Sequence, residues 1–153
     1  MIASPRSARG FTLVELLCVL AIGGVLMAIG TPVLQGAMSE QRLRAAATDV
    51  GNALSEARRE AFRASAQGRV EVNPADGRVS VFVFSLAANG QVERRRSYLP
   101  PGVVFNGLAA LTSYTFDTLG RPTALPLSVA VRSVPTGSVR TISVLGTGRV
   151  TTQ

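Results

Sequence analysis

The longest apolar stretch of the chain lies close to its N-terminus. Residues 11–29 read FTLVELLCVLAIGGVLMAI and contain one charged side chain, Glu15. A run of this length can cross a bilayer as a helix, whereas a buried helix of a soluble domain normally carries a polar stripe. The pattern therefore predicts a membrane-spanning helix over residues 11–31.

A second helical pattern follows the apolar run. Its apolar side chains recur at alternating spacings of four and three residues, at Leu43, Ala47, Val50, Leu54, Ala57 and Ala61. This spacing places them on one face of an α-helix. Oppositely charged pairs at helical neighbour spacings, such as Glu40 with Arg44 and Glu56 with Arg59, occupy the other faces. We predict an amphipathic helix over residues 32–67, ended by Gly68.

From Arg69 onward the apolar period changes to two, and turn residues recur about every ten positions. This pattern is typical of short antiparallel strands. It predicts strands at residues 69–72, 79–85, 92–99, 103–105, 113–117, 127–134 and 139–144. Because an amphipathic helix buries its apolar stripe against a sheet face, the predicted fold is α+β. A long N-terminal helix would pack on an antiparallel β-sheet domain formed by residues 68–153.

Composition narrows the chemistry available to the chain. The 153 residues carry a net charge of +7, and all sixteen basic residues are arginine. This charge favours a polyanionic partner without choosing among nucleic acid, anionic lipid and an acidic protein surface. Histidine is absent and the one cysteine, Cys18, lies in the apolar run. Nucleophile–histidine catalysis and a thiolate or imidazole metal cluster are therefore excluded, and we expect no enzyme, cofactor or metal.

A cleavable secretory signal is one alternative explanation of the apolar run. The segment Ala28-Ile29-Gly30 has the small-x-small pattern of a signal peptidase site, and cleavage after Gly30 would release a secreted soluble β protein. The apolar core is longer than a signal peptide requires. A carboxylate at Glu15 also costs about 2.5–3.5 kcal/mol inside a bilayer, which indicates a specific role for it.

The segment Gly10–Leu17, GFTLVELL, followed by the apolar run and Pro32, resembles the leader motif of type IV prepilins and type II secretion pseudopilins. The resemblance implies that residues 1–10 are a leader, and that a membrane prepilin peptidase cuts between Gly10 and Phe11. The same enzyme would methylate the new amino group of Phe11. The carboxylate of Glu15 would then neutralise this amine, in its own chain or in a neighbouring subunit.

Two further segments are similar to the GspH/FimT branch of minor pilins and pseudopilins: residues 116–122, FDTLGRP, and residues 142–150, ISVLGTGRV. With the leader, the resemblance spans most of the chain. It implies a pilin-like subunit held in the inner membrane by one helix, with its C-terminal domain in the periplasm. Other minor subunits and a major subunit would be its partners, at the tip or start of a type II secretion pseudopilus or a type IV pilus.

DNA is a further candidate partner. FimT-like proteins that take up DNA in natural transformation carry a C-terminal Gly-Arg-x-Arg motif, and here the corresponding residues are Gly148-Arg149-Val150-Thr151. Thr151 stands where the second arginine would be, which removes one phosphate contact. We name Arg149, with Arg140 and Arg121 as supporting cations, as the candidate contacts.

A proline near the end of the apolar run and a run of three arginines are two further local features of the sequence. Pro32, with Gly30 and Gly36, marks either a hinge used in assembly or a membrane boundary, since proline lacks a backbone donor. The run Arg94–Arg96 would place its first and third side chains on one side of a strand and its second on the other. We interpret this run as protection of an edge strand, with polyanion binding as the alternative.

Overall fold

The computed structural model describes residues 11–85 and 89–153, which divide between two units, Met1–Gly36 and Ala37–Gln153. The predicted leader, residues 1–10, lies outside the described residues. In chain order the described elements are α1 (Leu13–Ala64), β1 (Gly68–Asn73), β2 (Arg78–Ser85), β3 (Gly90–Tyr98), β4 (Val103–Asn106), β5 (Thr112–Phe116), β6 (Leu127–Ser133), β7 (Val139–Val144) and β8 (Val150–Thr152).

The described part of the first unit is the apolar beginning of α1. Its large apolar side chains are exposed, with Leu20 at 64% and Leu26 at 65%. Among the described residues, α1 is the one helix that is long and apolar enough to cross a membrane, and none of its most apolar window is buried inside the protein. An apolar surface left uncovered by its own chain fits an anchor in a membrane.

The segment around Pro32, predicted to be a hinge or a membrane boundary, is helical. α1 is assigned as helix without interruption through residues 30–36, so the backbone does not unwind there. Whether Pro32 acts as a hinge stays a prediction.

In the second unit, the predicted apolar stripe of α1 is confirmed. The six predicted positions are fully buried, and Ala46 and Ala53 beside them are buried as well. The buried face is therefore wider than the predicted stripe. It contributes to a single core cluster together with inward-facing valines of the sheets, such as Val70 of β1 and Val131 of β6.

The strands form two antiparallel sheets, in the orders β3-β2-β1-β5 and β4-β6-β7-β8. The prediction of a long helix on antiparallel β structure is confirmed, but the expectation of one sheet face is wrong. A helix whose buried face is widened by small alanines can meet two sheets at once, and both sheets supply side chains to the same core.

All seven predicted strands are present, and β8 was not predicted. The helix ends earlier than expected, at Ala64, because Ser65 adopts a left-handed φ of 46° and the N–H of Ala66 bonds to the carbonyl of Ala61 at 3.1 Å. Gly68 instead begins β1. A Cβ there would lie 3.1 Å from the Cβ of Ala61 and closer still to helix backbone, so glycine permits the close approach of strand and helix.

Candidate functional site

The N-terminal site lies at the first turn of α1. Phe11 is exposed, and the side-chain oxygen of Thr12 accepts a hydrogen bond from the backbone N–H of Glu15 at 3.2 Å. Thr12 is thus the N-cap of α1, and Glu15 stands at the third helical position, where a carboxylate is favoured by the positive end of the helix dipole. Gly10, on the other side of the predicted cleavage point, lies outside the described residues.

Sequence reasoning missed the cap on this site. The pattern Thr-x-x-Glu before an apolar run is the capping-box motif, which could have been found from Thr12 and Glu15 alone. The cap fixes where α1 begins, so Glu15 occupies the first turn, close in sequence to Phe11. Glu15 has no ion-pair partner among the residues that the structure describes.

Arg140, one of the two supporting cations in the prediction, bonds to a carboxylate of α1. Its Nη2 donates to Oε1 of Glu40 at 2.8 Å, and the same oxygen accepts a second bond from Nε of Arg44 at 3.1 Å. The hydrogen bond from Arg140, followed by that from Arg44, lowers the pKa of Glu40. Because Arg140 belongs to β7, this pair fastens the second sheet to α1. In this conformation the guanidinium of Arg140 is already bonded to Glu40.

Arg121 lies in an exposed turn after β5. Oδ1 of Asp117 accepts the backbone N–H of Leu119 at 3.0 Å and that of Arg121 at 2.7 Å. The N–H of Asp117 donates to the carbonyl of Arg121 at 2.9 Å, which closes the turn. The aspartate in this segment is therefore a turn-former, and the arginine side chain is exposed at its end.

Arg149 lies in the turn between β7 and β8. The N–H of Leu145 donates to the carbonyl of Arg149 at 2.9 Å, and the N–H of Gly148 donates to the carbonyl of Leu145 at 2.7 Å. Gly148 has a φ of +79°, which favours glycine. Arg149 is exposed, and like Arg121 it has no ion-pair partner among residues 11–85 and 89–153.

The two turns meet over Arg58 of α1. A Cβ on Gly148 would lie 2.6 Å from Nε of Arg58 and closer still to the carbonyl oxygen of Gly120. A Cβ on Gly120 would lie 2.9 Å from Cγ of Arg58. Nη2 of Arg58 donates to the carbonyl of Thr147 at 3.2 Å. We call this arrangement of Arg58, Gly120, Thr147 and Gly148 the arginine junction.

The arginine junction brings two of the three predicted contacts together. Arg121 follows Gly120 and Arg149 follows Gly148, so their turns are in contact. Arg140 is not part of this group. Its partner Glu40 lies eighteen positions before Arg58 on the same helix, a distance of about 27 Å at 1.5 Å per residue. Nothing in the sequence around Arg58 distinguished it from any other arginine on the polar side of a helix.

Beside the arginine junction is an open cleft lined by Arg58, Arg59, Phe62, Arg63 and Leu119, which we call the basic cleft. Phe62 is 66% exposed and Leu119 is 60% exposed. The predicted pair of Glu56 with Arg59 is not formed, because Glu56 bonds to Arg95 of β3 instead. Arg59 is therefore exposed at the cleft without an acidic partner among the described residues.

The run Arg94–Arg96 does not alternate as expected. Arg95 pairs with Val81 and Glu93 with Phe82, so the register shift leaves Arg94 as an extra residue in β3. Arg94 then lines the same surface as residues of α1 such as Glu60. Its neighbour Arg95 also faces α1, where it bonds to Asp49 and Glu56. The prediction that the first and third arginines share a side is wrong, and the bulge is the reason.

Arg96 lies apart from its two neighbours and forms a separate pair. Its Nε donates to Oε1 of Glu93 at 2.8 Å. The hydrogen bond from Arg96, supported by one from Ser80, lowers the pKa of Glu93 to about 2. β3 is an edge strand, as predicted, and its three arginines are divided between two faces. They form no single basic patch.

Metal-binding chemistry has no candidate site in the part of the chain that the structure describes. Within residues 11–85 and 89–153, no three His, Cys, Asp or Glu side chains are grouped so as to hold a metal ion. The arrangement at the arginine junction is instead one of cations, glycines and exposed apolar side chains. Such a surface is suited to binding anions or an acidic partner.

Comparison with protein families identifies the N-terminal segment. Residues 5–31 match the model of the prokaryotic N-terminal methylation motif. No curated protein sequence matches the chain at a significant level. The matched residues include the predicted cleavage point, Glu15 and the apolar run.

Solved structures with the same fold include a minor pseudopilin and a minor pilin. The minor pseudopilin EpsH from the type II secretion system of Vibrio cholerae superposes with a TM-score of 0.59 at 13% identity, over 73% of this chain and 96% of EpsH. The type IV minor pilin FimU of Pseudomonas aeruginosa gives a TM-score of 0.59 at 18% identity, over 74% of this chain and 90% of FimU. At these identities the likeness establishes the fold.

Proposed function

We propose that this chain, a type IV pilin-like protein by its methylation motif and its fold, is a minor pilin or pseudopilin that is processed and built into a filament. The methylation motif over residues 5–31 carries the proposal, since it contains both the bond to be cut and the acid needed afterwards. The neighbouring structures include one subunit of a type II secretion system and one of a type IV pilus. Both filament types are therefore candidates.

Processing follows from the order of the N-terminal residues. Prepilin peptidase cuts between Gly10 and Phe11 and methylates the new amine, while the apolar part of α1 remains attached. The helix is held in the inner membrane as a single pass, and the unit from Ala37 onward lies in the periplasm. The uncovered apolar surface of α1 supports this anchoring role.

Glu15 then acts in assembly. The cap by Thr12 places its carboxylate in the first turn of α1, where it neutralises the amine of Phe11 in the same chain or in a neighbouring subunit. At low dielectric this attraction is several times stronger than at a surface exposed to water. The leader delays the pairing, because the amine exists only after cleavage. Prepilin peptidase, other minor subunits and a major subunit are the partners on this proposal.

Mass spectrometry of the mature N-terminus tests the proposal. Protein isolated from its native host is expected to begin with methylated Phe11, and protein from a host lacking prepilin peptidase is expected to keep residues 1–10. A chain beginning at Thr31 would instead indicate a secreted soluble β protein released by signal peptidase. Retention of residues 1–10 in the unaltered host would also refute the proposal.

DNA binding is a second candidate function, favoured by the contact between the turns that carry Arg121 and Arg149. Two exposed arginines on adjacent turns can contact phosphates of one DNA strand. Thr151 stands where the Gly-Arg-x-Arg motif has its second arginine, so that contact is missing. Binding to a duplex should weaken as salt rises, and Arg149→Ala should lower the salt slope by about one unit. Arg132→Ala is the matched control, since Arg132 is also exposed. Equal salt slopes for the two variants would count against this role.

A further inference from the structure

The acidic side chains of the second unit are almost all engaged within the chain. Seven of the eight carboxylates between Ala37 and Gln153 form ion pairs with arginine, namely Glu40, Asp49, Glu56, Glu60, Glu71, Asp76 and Glu93. The eighth, Asp117, accepts two backbone N–H groups in its own turn. A second copy of this unit therefore offers no unengaged side-chain carboxylate to a basic surface.

Seven arginines of the second unit have no acidic partner among the described residues, and four of them, Arg58, Arg59, Arg121 and Arg149, lie at or beside the arginine junction; the other three are Arg42, Arg94 and Arg132. Of the four, Arg59, Arg121 and Arg149 are exposed. The basic cleft, which Arg59 lines, exposes the apolar side chains of Phe62 and Leu119, and no acid lines it. A complementary ligand must therefore be acidic and apolar at the same time.

We infer that the basic cleft docks a segment of a different filament subunit, in which an aspartate or glutamate stands within a few residues of a leucine-sized apolar side chain. The acid pairs with Arg59, and the apolar side chain covers Phe62 and Leu119. The inference rests on the proposed function, since it supplies one of the contacts by which the subunit joins its neighbours.

The apolar walls favour a protein segment over nucleic acid. Exposed apolar surface is stabilised by burial against another apolar side chain, at about 25 cal/mol per Å². A phosphate backbone offers no such surface. A base can stack on the ring of Phe62, but Leu119 has no ring, so stacking would leave its apolar side chain uncovered. The ion pairs within the second unit favour a different chain as the partner over a second copy, because the carboxylates of a second copy already have partners.

Site-specific photo-crosslinking of the full-length chain in its native host tests the inference. Benzoylphenylalanine is placed at position 62, in the basic cleft, or at position 134, where Val134 is comparably exposed at 58% in the turn after β6. We expect position 62, and not position 134, to form an adduct with another filament subunit. Mass spectrometry of the adduct should locate it in a segment containing an acid beside an apolar residue.

Charge reversal supplies the second measurement. Arg59→Glu should reduce the yield of the adduct from position 62 at least about tenfold, because it places like charges together at the contact. Arg132→Glu, at an exposed arginine of β6 without an acidic partner among the described residues, should leave the yield unchanged. Equal yields from the two variants would refute the electrostatic part of the inference.

Other outcomes overturn the inference outright. They are an adduct between two copies of this chain, a nuclease-sensitive adduct with DNA, an adduct at a segment without acid, or no adduct at all. The N-terminus is analysed in the same preparation. Methylated Phe11 together with a failed crosslink refutes the docking site alone, whereas an N-terminus other than Phe11 refutes the proposed function and the docking site with it.

Discussion

Replacing Gly148 by alanine tests whether the arginine junction is a structural contact. Gly148 has a φ of +79°, and the left-handed conformation costs an L-residue about 1–2 kcal/mol. Gly137 has a similar φ of +70°, but no heavy atom lies within 4 Å of the position of its Cβ. Gly137→Ala therefore measures backbone strain alone, whereas Gly148→Ala adds a steric overlap with Arg58 and with the carbonyl of Gly120.

The overlap adds a second cost to the free energy of unfolding. Relieving it requires the turns to separate and weakens the bond from Arg58 to Thr147. Overpacking of this kind costs about 1–3 kcal/mol, so Gly148→Ala should destabilise the second unit by about 2–5 kcal/mol in all. Gly137→Ala should cost about 1–2 kcal/mol. For a unit of about 120 residues, 1 kcal/mol lowers Tm by roughly 4 °C.

Thermal unfolding of the full-length chain in detergent micelles, followed by circular dichroism, compares the two variants. Gly137→Ala is expected to lower Tm by about 4–8 °C, and Gly148→Ala by about 8–20 °C. Equal decreases would show that the turns and Arg58 adapt without cost. The arginine junction would then be an incidental contact, and Gly148 would be required only for its backbone conformation.

Three further outcomes follow from named ion pairs. Glu15→Gln should leave cleavage of the leader intact but impair entry into filaments, measured by immunoblotting of sheared filaments against the membrane fraction; normal entry would remove the assembly role. The wild type should be more stable than Glu93→Gln above about pH 4.5, and this advantage should disappear as the pH falls toward about 2. The sign follows because the pairing with Arg96 holds the folded-state pKa of Glu93 below its ordinary value, so the proton binds the unfolded chain first. Urea midpoints between pH 2 and 6 measure the difference, and a constant difference would contradict it. Arg140→Met should raise the pKa of Glu40 toward its ordinary value of 4.5, as followed by NMR titration, because Arg140 is its principal hydrogen-bond donor.

The elements of the fold could be predicted because local spacing determines them. The buried positions of α1 repeat every three or four residues, and strands such as β1 and β6 have apolar residues at alternate positions. Turn glycines such as Gly77, Gly102 and Gly137 adopt positive φ and separate strands where the sequence placed turns. Each of these features depends on residues that are neighbours along the chain, so a pattern within ten residues was enough.

Contacts between distant residues could not be predicted in the same way. The bond from Arg58 to Thr147 joins positions 89 residues apart, and the bonds of Arg95 join β3 to α1 over 39 and 46 residues. No spacing rule pairs such residues. The division into two sheets and the short strand β8 also depend on tertiary packing, because Val150 of β8 packs against the core to which α1 and both sheets contribute. The bulge at Arg94 is a further tertiary feature.

The adjacent residues Gly148 and Arg149 show why a short motif does not by itself predict binding. Gly148 is enclosed by Arg58 and Gly120, and a side chain there would disturb the fold. Arg149 is exposed and has no ion-pair partner among the described residues, so its charge is available to a ligand. The glycine of this motif would be required in this turn for packing reasons even in a protein that binds no DNA. Lost binding in a Gly148 variant would therefore be uninformative, whereas lost binding in an Arg149 variant with unchanged Tm would identify a ligand contact.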